Sequence, residues 1–285
     1  MHVLRSMITA ANTMAQLQQQ LDVISNNIAN SNTVGFKRRE TSFGELLAQQ
    51  FTDLPRDEAP RLTPNGLRHG VGARLAATNL ILKQGALMKT DRPLDIALTK
   101  EGQFFRVLLQ GENGAQQIGY TRAGAFYLTP SAGNPNVLML VTSDGHPVLD
   151  ENNAPIWIPN GYKDIAISDN GTMTATAPDG RVIRRVNIGV TTILRPQLLQ
   201  SVGNNILTLP NLNALNVNAA DVAVNMIGNL RAQIGMTQGA LEQSNVDLGT
   251  ELTDMMITER SYQLNARSIS ISDQMLGLIN GIRSS

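Results

Sequence analysis

Hydrophobic and polar positions divide the 285-residue chain into three stretches of different period. From about residue 4 to 30, Leu4, Met7, Ala11, Met14, Leu17, Leu21, Ile24 and Ile28 recur at spacings of three or four. Gln, Asn, Asp and Ser fill the positions between them, which predicts an amphipathic helix. Asn30-Ser31-Asn32-Thr33 breaks the pattern, and Gly35 suits a chain reversal that needs positive φ. Phe43, Leu46, Leu47 and Phe51 suggest a short second helix, and Pro55, Pro60 and Pro64 mark an extended connector.

From about 71 to 210 the pattern is strand-like. Short runs of Val, Ile, Leu and Thr are punctuated by Gly-Glu-Asn-Gly at 111–114, Ser-Asp-Gly at 143–145, Asp-Asn-Gly at 169–171 and Pro-Asp-Gly at 178–180. Asp95-Ile96-Ala97-Leu98 before Gly102-Gln103-Phe104 echoes Asp164-Ile165-Ala166-Ile167 before Gly171-Thr172-Met173, and both read as strand, turn, strand. Two similar hairpins or an old duplication would each produce this echo.

From about 240 the helix period returns. Leu241, Leu248, Met255, Tyr262, Ile269 and Leu276 lie seven residues apart, with Leu252 and Ala266 between them, as in a coiled-coil seam. A second stripe, Ile257, Leu264, Ile271 and Leu278, runs along a different face at the same spacing. One stripe is what a helix needs to dock on its own core; two stripes ask for two partners. The expected architecture is α+β, with N- and C-terminal amphipathic helices as a coiled-coil-like pair and a central, mostly antiparallel β domain. Its expected parts are an N-terminal helix and turn over 1–45, a connector over 46–83, a β-rich domain over 84–212, a linker over 213–239 and a C-terminal helix over 240–285.

Composition narrows the function. Lys plus Arg balances Asp plus Glu at 23 each, which excludes a net field for nucleic acid or an anionic membrane. Charged residues make up only 16%, which leaves room for uncharged contact surfaces. With no cysteine there are no disulfides, thiolate metal sites or cysteine nucleophiles. The opening Met1-His2-Val3-Leu4-Arg5-Ser6-Met7 lacks a basic stretch leading into an apolar one, so no Sec signal is expected, and no apolar run is long enough to span a membrane.

Catalytic chemistry finds no constellation. His2, His69 and His146 lie in unrelated contexts, and no nucleophile elbow or paired metal-ligand spacing occurs. Gly70-Val71-Gly72 is half a dinucleotide fingerprint and reads better as a turn. Glu251, Asp254, Glu259 and Asp273 read as solvated helix faces, and Lys37-Arg38-Arg39 as a salt-bridging cluster at a protein interface. Asn170-Gly171-Thr172 matches a glycosylation acceptor and reads more simply as a hairpin tip. The expectation is a non-enzyme without cofactor or metal.

Particular motifs then carry a resemblance. Asn26-Asn27-Ile28-Ala29-Asn30-Ser31-Asn32-Thr33-Val34-Gly35-Phe36-Lys37-Arg38 strongly resembles the N-terminal motif of flagellar rod and hook proteins (NNIANxxTxGFK). Gly239-Ala240-Leu241-Glu242-Gln243-Ser244-Asn245-Val246 is similar to that family's G-x-LExSNV element. Glu259-Arg260-Ser261-Tyr262-Gln263-Leu264-Asn265 looks like its QRAYExN element, and Asp273-Gln274-Met275-Leu276 like its D-x-ML ending. In the middle, Leu94-Asp95-Ile96-Ala97-Leu98 and Tyr120-Thr121-Arg122-Ala123-Gly124-Ala125-Phe126 resemble the LDxAI and YTRxGxF elements of the distal-rod branch. Glu101-Gly102-Gln103-Phe104-Phe105 departs from its usual G-x-GFF, and no longer insertion comes after Leu47, which leaves the rod position open.

The resemblance implies an axial structural subunit, exported by the flagellar type III apparatus, that polymerises into a torque-transmitting tube. The partners it implies are further copies, other rod or hook subunits and the export apparatus. A hook or hook-associated protein, or a secreted β-domain protein acting on or binding peptidoglycan, are the alternatives. The expected assembly residues are Leu17, Leu21, Ile24, Asn26, Asn27, Ile28, Asn30, Gly35 and Phe36 at one end. At the other they are Leu241, Ser244, Asn245, Val246, Leu248, Met255, Arg260, Tyr262, Leu264, Asn265, Ile269, Ile271 and Leu276. Asn26, Asn27, Asn30 and Asn32 are expected to cap backbone groups or to bond between subunits.

Overall fold

The computed structural model describes residues 2–45, 49–51, 67–69, 73–110, 116–131 and 134–284. The chain forms two compact units. One comprises Met1–Ala29, Arg39–Asn79 and Asp247–Ser285, the other Asn30–Arg38 and Leu80–Val246.

The first unit is dominated by two long helices, α1 (His2–Ala29) and α2 (Leu248–Ser284), which pack on each other. Asp247 starts α2 by side-chain capping: its Oδ1 accepts from the Gly249 and Thr250 amides at 2.9 and 3.2 Å. The face that α2 covers steps by four and three through Glu251, Met255, Thr258, Tyr262, Asn265, Ile269, Ser272 and Leu276. The opposing face of α1 carries buried Ala10, Ile24 and Asn27, with Met14, Leu17, Leu21 and Ile28 half-buried. Ala11, expected in this stripe, is exposed instead.

Every second seam position of α2 is polar, and local bonds satisfy two of them. Thr258 donates to the Asp254 carbonyl at 2.7 Å and Asn265 to that of Ser261 at 2.8 Å, each one turn back in the same helix. Asn27 ties the end of α1 to Arg39 and to α2. Its Nδ2 donates to the Arg39 carbonyl at 2.8 Å and to Glu251 Oε2 at 3.1 Å, while its Oδ1 accepts from the Arg39 amide at 3.0 Å. The last turn of α1 thus meets the first turn of α2, so the helices run antiparallel. Glu251, expected to be a solvated acid, is 1% exposed.

The expected short helix around Phe43 and Phe51 is replaced by strands. Arg39–Glu45 pairs with Ala73–Leu80, and Gln49–Phe51 pairs antiparallel with Leu67–His69. Four apolar residues in nine suit either period, and a strand partner decides between them. Leu46, Leu47, the three prolines and Gly70-Val71-Gly72 lie outside the described residues.

The second unit is antiparallel β. Its largest sheet has the order Gln200–Gly203, Ile206–Thr208, Gln116–Thr121, Gln103–Gln110, Val190–Ile193, Ala223–Asn225. Phe104 and Phe105 point to opposite faces of it and belong to separate cores. The larger core gathers Phe105, Val107, Phe126, Leu140, Val148, Ile156, Ile158 and Ile188, with the rings of Phe105 and Phe126 edge to face at 5.1 Å. Three-stranded sheets at Phe126–Ser131, Asn134–Thr142, Trp157–Pro159 and at Asp164–Ile167, Thr172–Thr176, Val182–Asn187 complete it. The turns expected at 143–145, 169–171 and 178–180 each place glycine at positive φ; the one at 111–114 lies outside the described residues.

Three expectations need correction. Asp164–Ile167 does form a hairpin with Thr172–Thr176, but Ile96–Leu98 pairs with Met236–Gln238 rather than with the strand after it. Residues 213–239 accordingly do not form a linker: they supply two strands and bury Val222, Met226, Ile234 and Met236. The C-terminal helix begins at Leu248, and Leu241 sits on a strand, Ala240–Glu242, paired with Leu87–Lys89. Positive φ at Gly239 and the cap at Asp247 set those boundaries, neither of which a seven-residue spacing reveals.

Glu242 closes this unit. Its Oε1 accepts from Lys37 Nζ at 2.6 Å and the Gly85 amide at 2.9 Å, its Oε2 accepts from Arg122 Nε, and its carbonyl accepts from the Gly35 amide at 2.7 Å. All three charged side chains are at most 3% exposed. Lys37 also donates to the Lys83 carbonyl at 2.7 Å, and Arg122 donates to the carbonyls of Leu98, Lys100 and Gln103. Asn245 continues the closure. It accepts from the Arg38 amide at 2.7 Å and donates to the Ile81 and Lys83 carbonyls at 2.9 Å. Backbones approach too closely here for side chains: a Cβ at Gly85 would lie 2.0 Å from the Gln243 oxygen, and one at Gly35, where φ is +68°, 2.5 Å from the Ala123 nitrogen. Burial pushes the Lys37 ammonium below the ordinary lysine value, against the pull of Glu242.

Removing one member of a buried charge pair costs about 3–5 kcal/mol, because the other charge stays buried. Glu242→Gln should therefore sharply lower the urea midpoint of the second unit, whereas Asp179→Asn, breaking an exposed pair with Arg181, should leave it unchanged. Equal midpoints for wild type and Glu242→Gln would refute a closing role for this acid. Asn27→Ala should lose about 1–3 kcal/mol from the helix pair, read as helical ellipticity against urea. The lowered Lys37 pKa adds a pH signature. The unfolded chain binds that proton more tightly, so stability should rise as pH climbs from the depressed value towards the ordinary lysine range.

Candidate assembly surface

The expected assembly residues fall into three groups. Asn30, Gly35, Phe36, Leu241, Ser244, Asn245 and Val246 belong to the closure of the second unit, where Gly35, Phe36 and Leu241 are buried. Leu17, Leu21, Ile24, Asn27, Ile28, Met255, Tyr262, Asn265, Ile269 and Leu276 line the seam between α1 and α2. Asn26, Leu248, Arg260, Leu264 and Ile271 face outward. Asn27 and Asn30 bond within the chain, Asn30 Oδ1 accepting from Thr33 Oγ1 at 3.2 Å, and Asn32 is exposed at the turn after α1.

The basic cluster divides the same way. Lys37 is buried against Glu242, so its salt bridge lies inside the chain and not at the protein interface expected for it. Sequence reasoning missed Glu242, Arg122 and Glu251 as structural centres. The available signal was an acid or base inside an otherwise apolar motif, in a chain with few charges.

The second stripe of α2 has the geometry of a contact face. Ile257, Leu264, Ile271 and Leu278 are 58%, 63%, 57% and 70% exposed, and Met275 and Ile279 beside them are about half exposed. They lie on the side of α2 away from the α1 seam. A two-helix pair that buries one stripe and leaves another of equal length exposed carries an apolar patch, which makes this face the candidate surface.

A groove of about 530 Å³ in the second unit is lined by Asn30, Thr33, Thr121, Thr142, Asp144 and Asn205 among others, and Asp144 is its one carboxylate. Among the described residues no three His, Cys, Asp or Glu side chains gather as a metal site, and no helix is long and apolar enough to cross a membrane.

Comparison with known proteins finds matches to three segments of the chain. Residues 7–37 match the family described as Flagella basal body rod protein, and residues 237–282 match Flagellar basal body rod FlgEFG protein C-terminal. Residues 97–175 match Flagellar hook protein FlgE/F/G D1 domain. The flagellar hook-basal body complex protein FlhP of Bacillus subtilis is 48% identical over 286 residues, covering 99% of this chain and all of that protein. The flagellar basal-body rod protein FlgG of the same organism is 32% identical over 96% of this chain and 97% of its own length. FlgG of Borreliella burgdorferi is 31% identical over 99% of both. With terminal helices packed together and antiparallel sheets between them in sequence, the chain belongs to the flagellar basal-body rod and hook protein family, a family of non-enzymatic structural proteins.

Proposed function

We propose that this chain is exported through the flagellar type III apparatus and polymerises through α1 and α2 into the axial tube that transmits torque. The observation that carries the reading is the exposed stripe of α2: four large apolar side chains at seven-residue spacing lie outside the seam with α1 and more than half exposed. In a helical polymer each subunit offers one surface and receives a different one, and such head-to-tail contacts propagate without closing. The absence of cysteine and the low charge suit a chain that crosses the envelope and is then covered by neighbours.

The match of residues 97–175 to the domain described as Flagellar hook protein FlgE/F/G D1 domain favours the hook reading as the second one. Position of the labelled subunit in purified basal bodies separates the two readings.

Leu264→Asp and Ile271→Asp replace exposed side chains, so the monomer should remain folded and soluble, with stability changed by about 0.5 kcal/mol or less. Each should nevertheless abolish incorporation into the basal body and motility. Full motility of either variant would refute assembly through this face.

A further inference from the structure

Resting on the assembly reading above, we propose that the outward stripe of α2 seats on the outward face of α1 in a second copy of this chain, antiparallel to it.

The two faces are complementary in period, length, size and charge. On α1 the exposed positions step by three and four from Ile8 through Ala11, Ala15, Gln18, Asp22 and Ser25 to Ala29. On α2 the exposed stripe runs from Ile257 through Leu264 and Ile271 to Leu278, with Ser268 and Met275 between its main positions. Ile8 to Ala29 and Ile257 to Leu278 span the same number of residues, about 32 Å of helix each. Large side chains project from α2, and Ala11, Ala15, Ser25 and Ala29 leave room for them on α1, so knobs from one helix find holes on the other.

Charge selects the direction. Placed antiparallel with ends matched, Leu278 lies opposite Ile8, Ile271 opposite Ala15, Leu264 opposite Asp22 and Ile257 opposite Ala29. Asp22 would otherwise sit on an apolar position. In this register it falls between Arg260 and Arg267, exposed side chains one turn to either side of Leu264. A parallel arrangement puts Asp22 against Ile271, with Arg267 on one side and Gln274 on the other. Two copies of α2 face to face would instead bring Arg267 towards Arg267 of the partner in either direction, and Arg260 towards Arg260 when parallel, and would stop at a dimer. Within a subunit α1 and α2 are already antiparallel. Copies that all point the same way along an axis therefore present α1 and α2 to each other antiparallel.

The chain has no cysteine, so introduced thiols report without background. Two full-length variants with different epitope tags, Ala15→Cys and Ile271→Cys, are co-expressed in the host in place of the native gene. Basal bodies are then purified, mildly oxidised and run on non-reducing gels. A disulfide-linked dimer carrying both tags is expected, since facing positions of packed helices reach the short Cα separation that a disulfide needs. A dimer of Ile271→Cys with itself as the main product, or no dimer in basal bodies that contain both variants, would overturn the inference while leaving the assembly reading intact. Absence of the wild-type chain from basal bodies would overturn the assembly reading itself. A charge exchange tests the register. Asp22→Arg should lower incorporation about tenfold or more, and adding Arg260→Asp and Arg267→Asp should restore it. Failure of that restoration would also count against the proposal.

Discussion

One carboxylate holds the second unit together. Glu242 is shared by Lys37 and Arg122, and neither cation has a second acid close enough to pair with it among the described ion pairs. Carbonyls from four other residues accept further bonds from the two cations, so a site with excess positive charge is spread over dipoles instead of being neutralised one for one. Such a centre contributes little net stability compared with an apolar core of the same volume, but it is unforgiving of misplacement. Gly85 and Gly35 allow the backbones to come close enough for it to form. The segment Asn30–Arg38, the strands around Ile96 and Thr121 and the strand Ala240–Glu242 all take their positions from that one acid.

The helical unit obeys a different logic. Its inner seam alternates apolar and polar side chains, and Thr258 and Asn265 turn their hydrogen bonds back into their own helix. Asn27 and Glu251 form a polar link at the end of the pair where α1 stops and α2 starts. A seam of this composition buries less apolar surface than an all-leucine one, while an equally long apolar stripe is left outside. The apolar surface of α2 is thus divided between the seam with α1 and an outer stripe that stays exposed.

The general architecture was legible in the sequence because it is written in local periods. Helices at both ends, a turn-rich antiparallel middle and the second stripe of α2 all appear as expected. What failed did so where a distant partner overrides a local pattern. Leu241 continues a seven-residue spacing yet belongs to a strand, since Leu87–Lys89 is waiting to pair with it. Ile96–Leu98 has the form of a hairpin arm and pairs with residues 236–238 instead. Glu251 reads as a solvated acid until Asn27, 224 positions away, is brought beside it. The motifs pointed to the right segments, but not to their chemistry: Lys37, Arg122 and Glu242 sit in three separate motifs, and only folding reveals them as one centre.

That centre also sets a timetable. Lys37 and Glu242 are 205 positions apart, so a chain delivered from its N-terminus presents both buried cations long before their counter-ion arrives. Until residue 242 has emerged, closing the β unit would strand Lys37 and Arg122 in a dry interior, and the partial chain gains little by collapsing. Completion of the fold is thereby deferred to the last sixth of the polypeptide. The acid that secures the finished unit thus comes from near the end of the chain, after nearly everything that it holds.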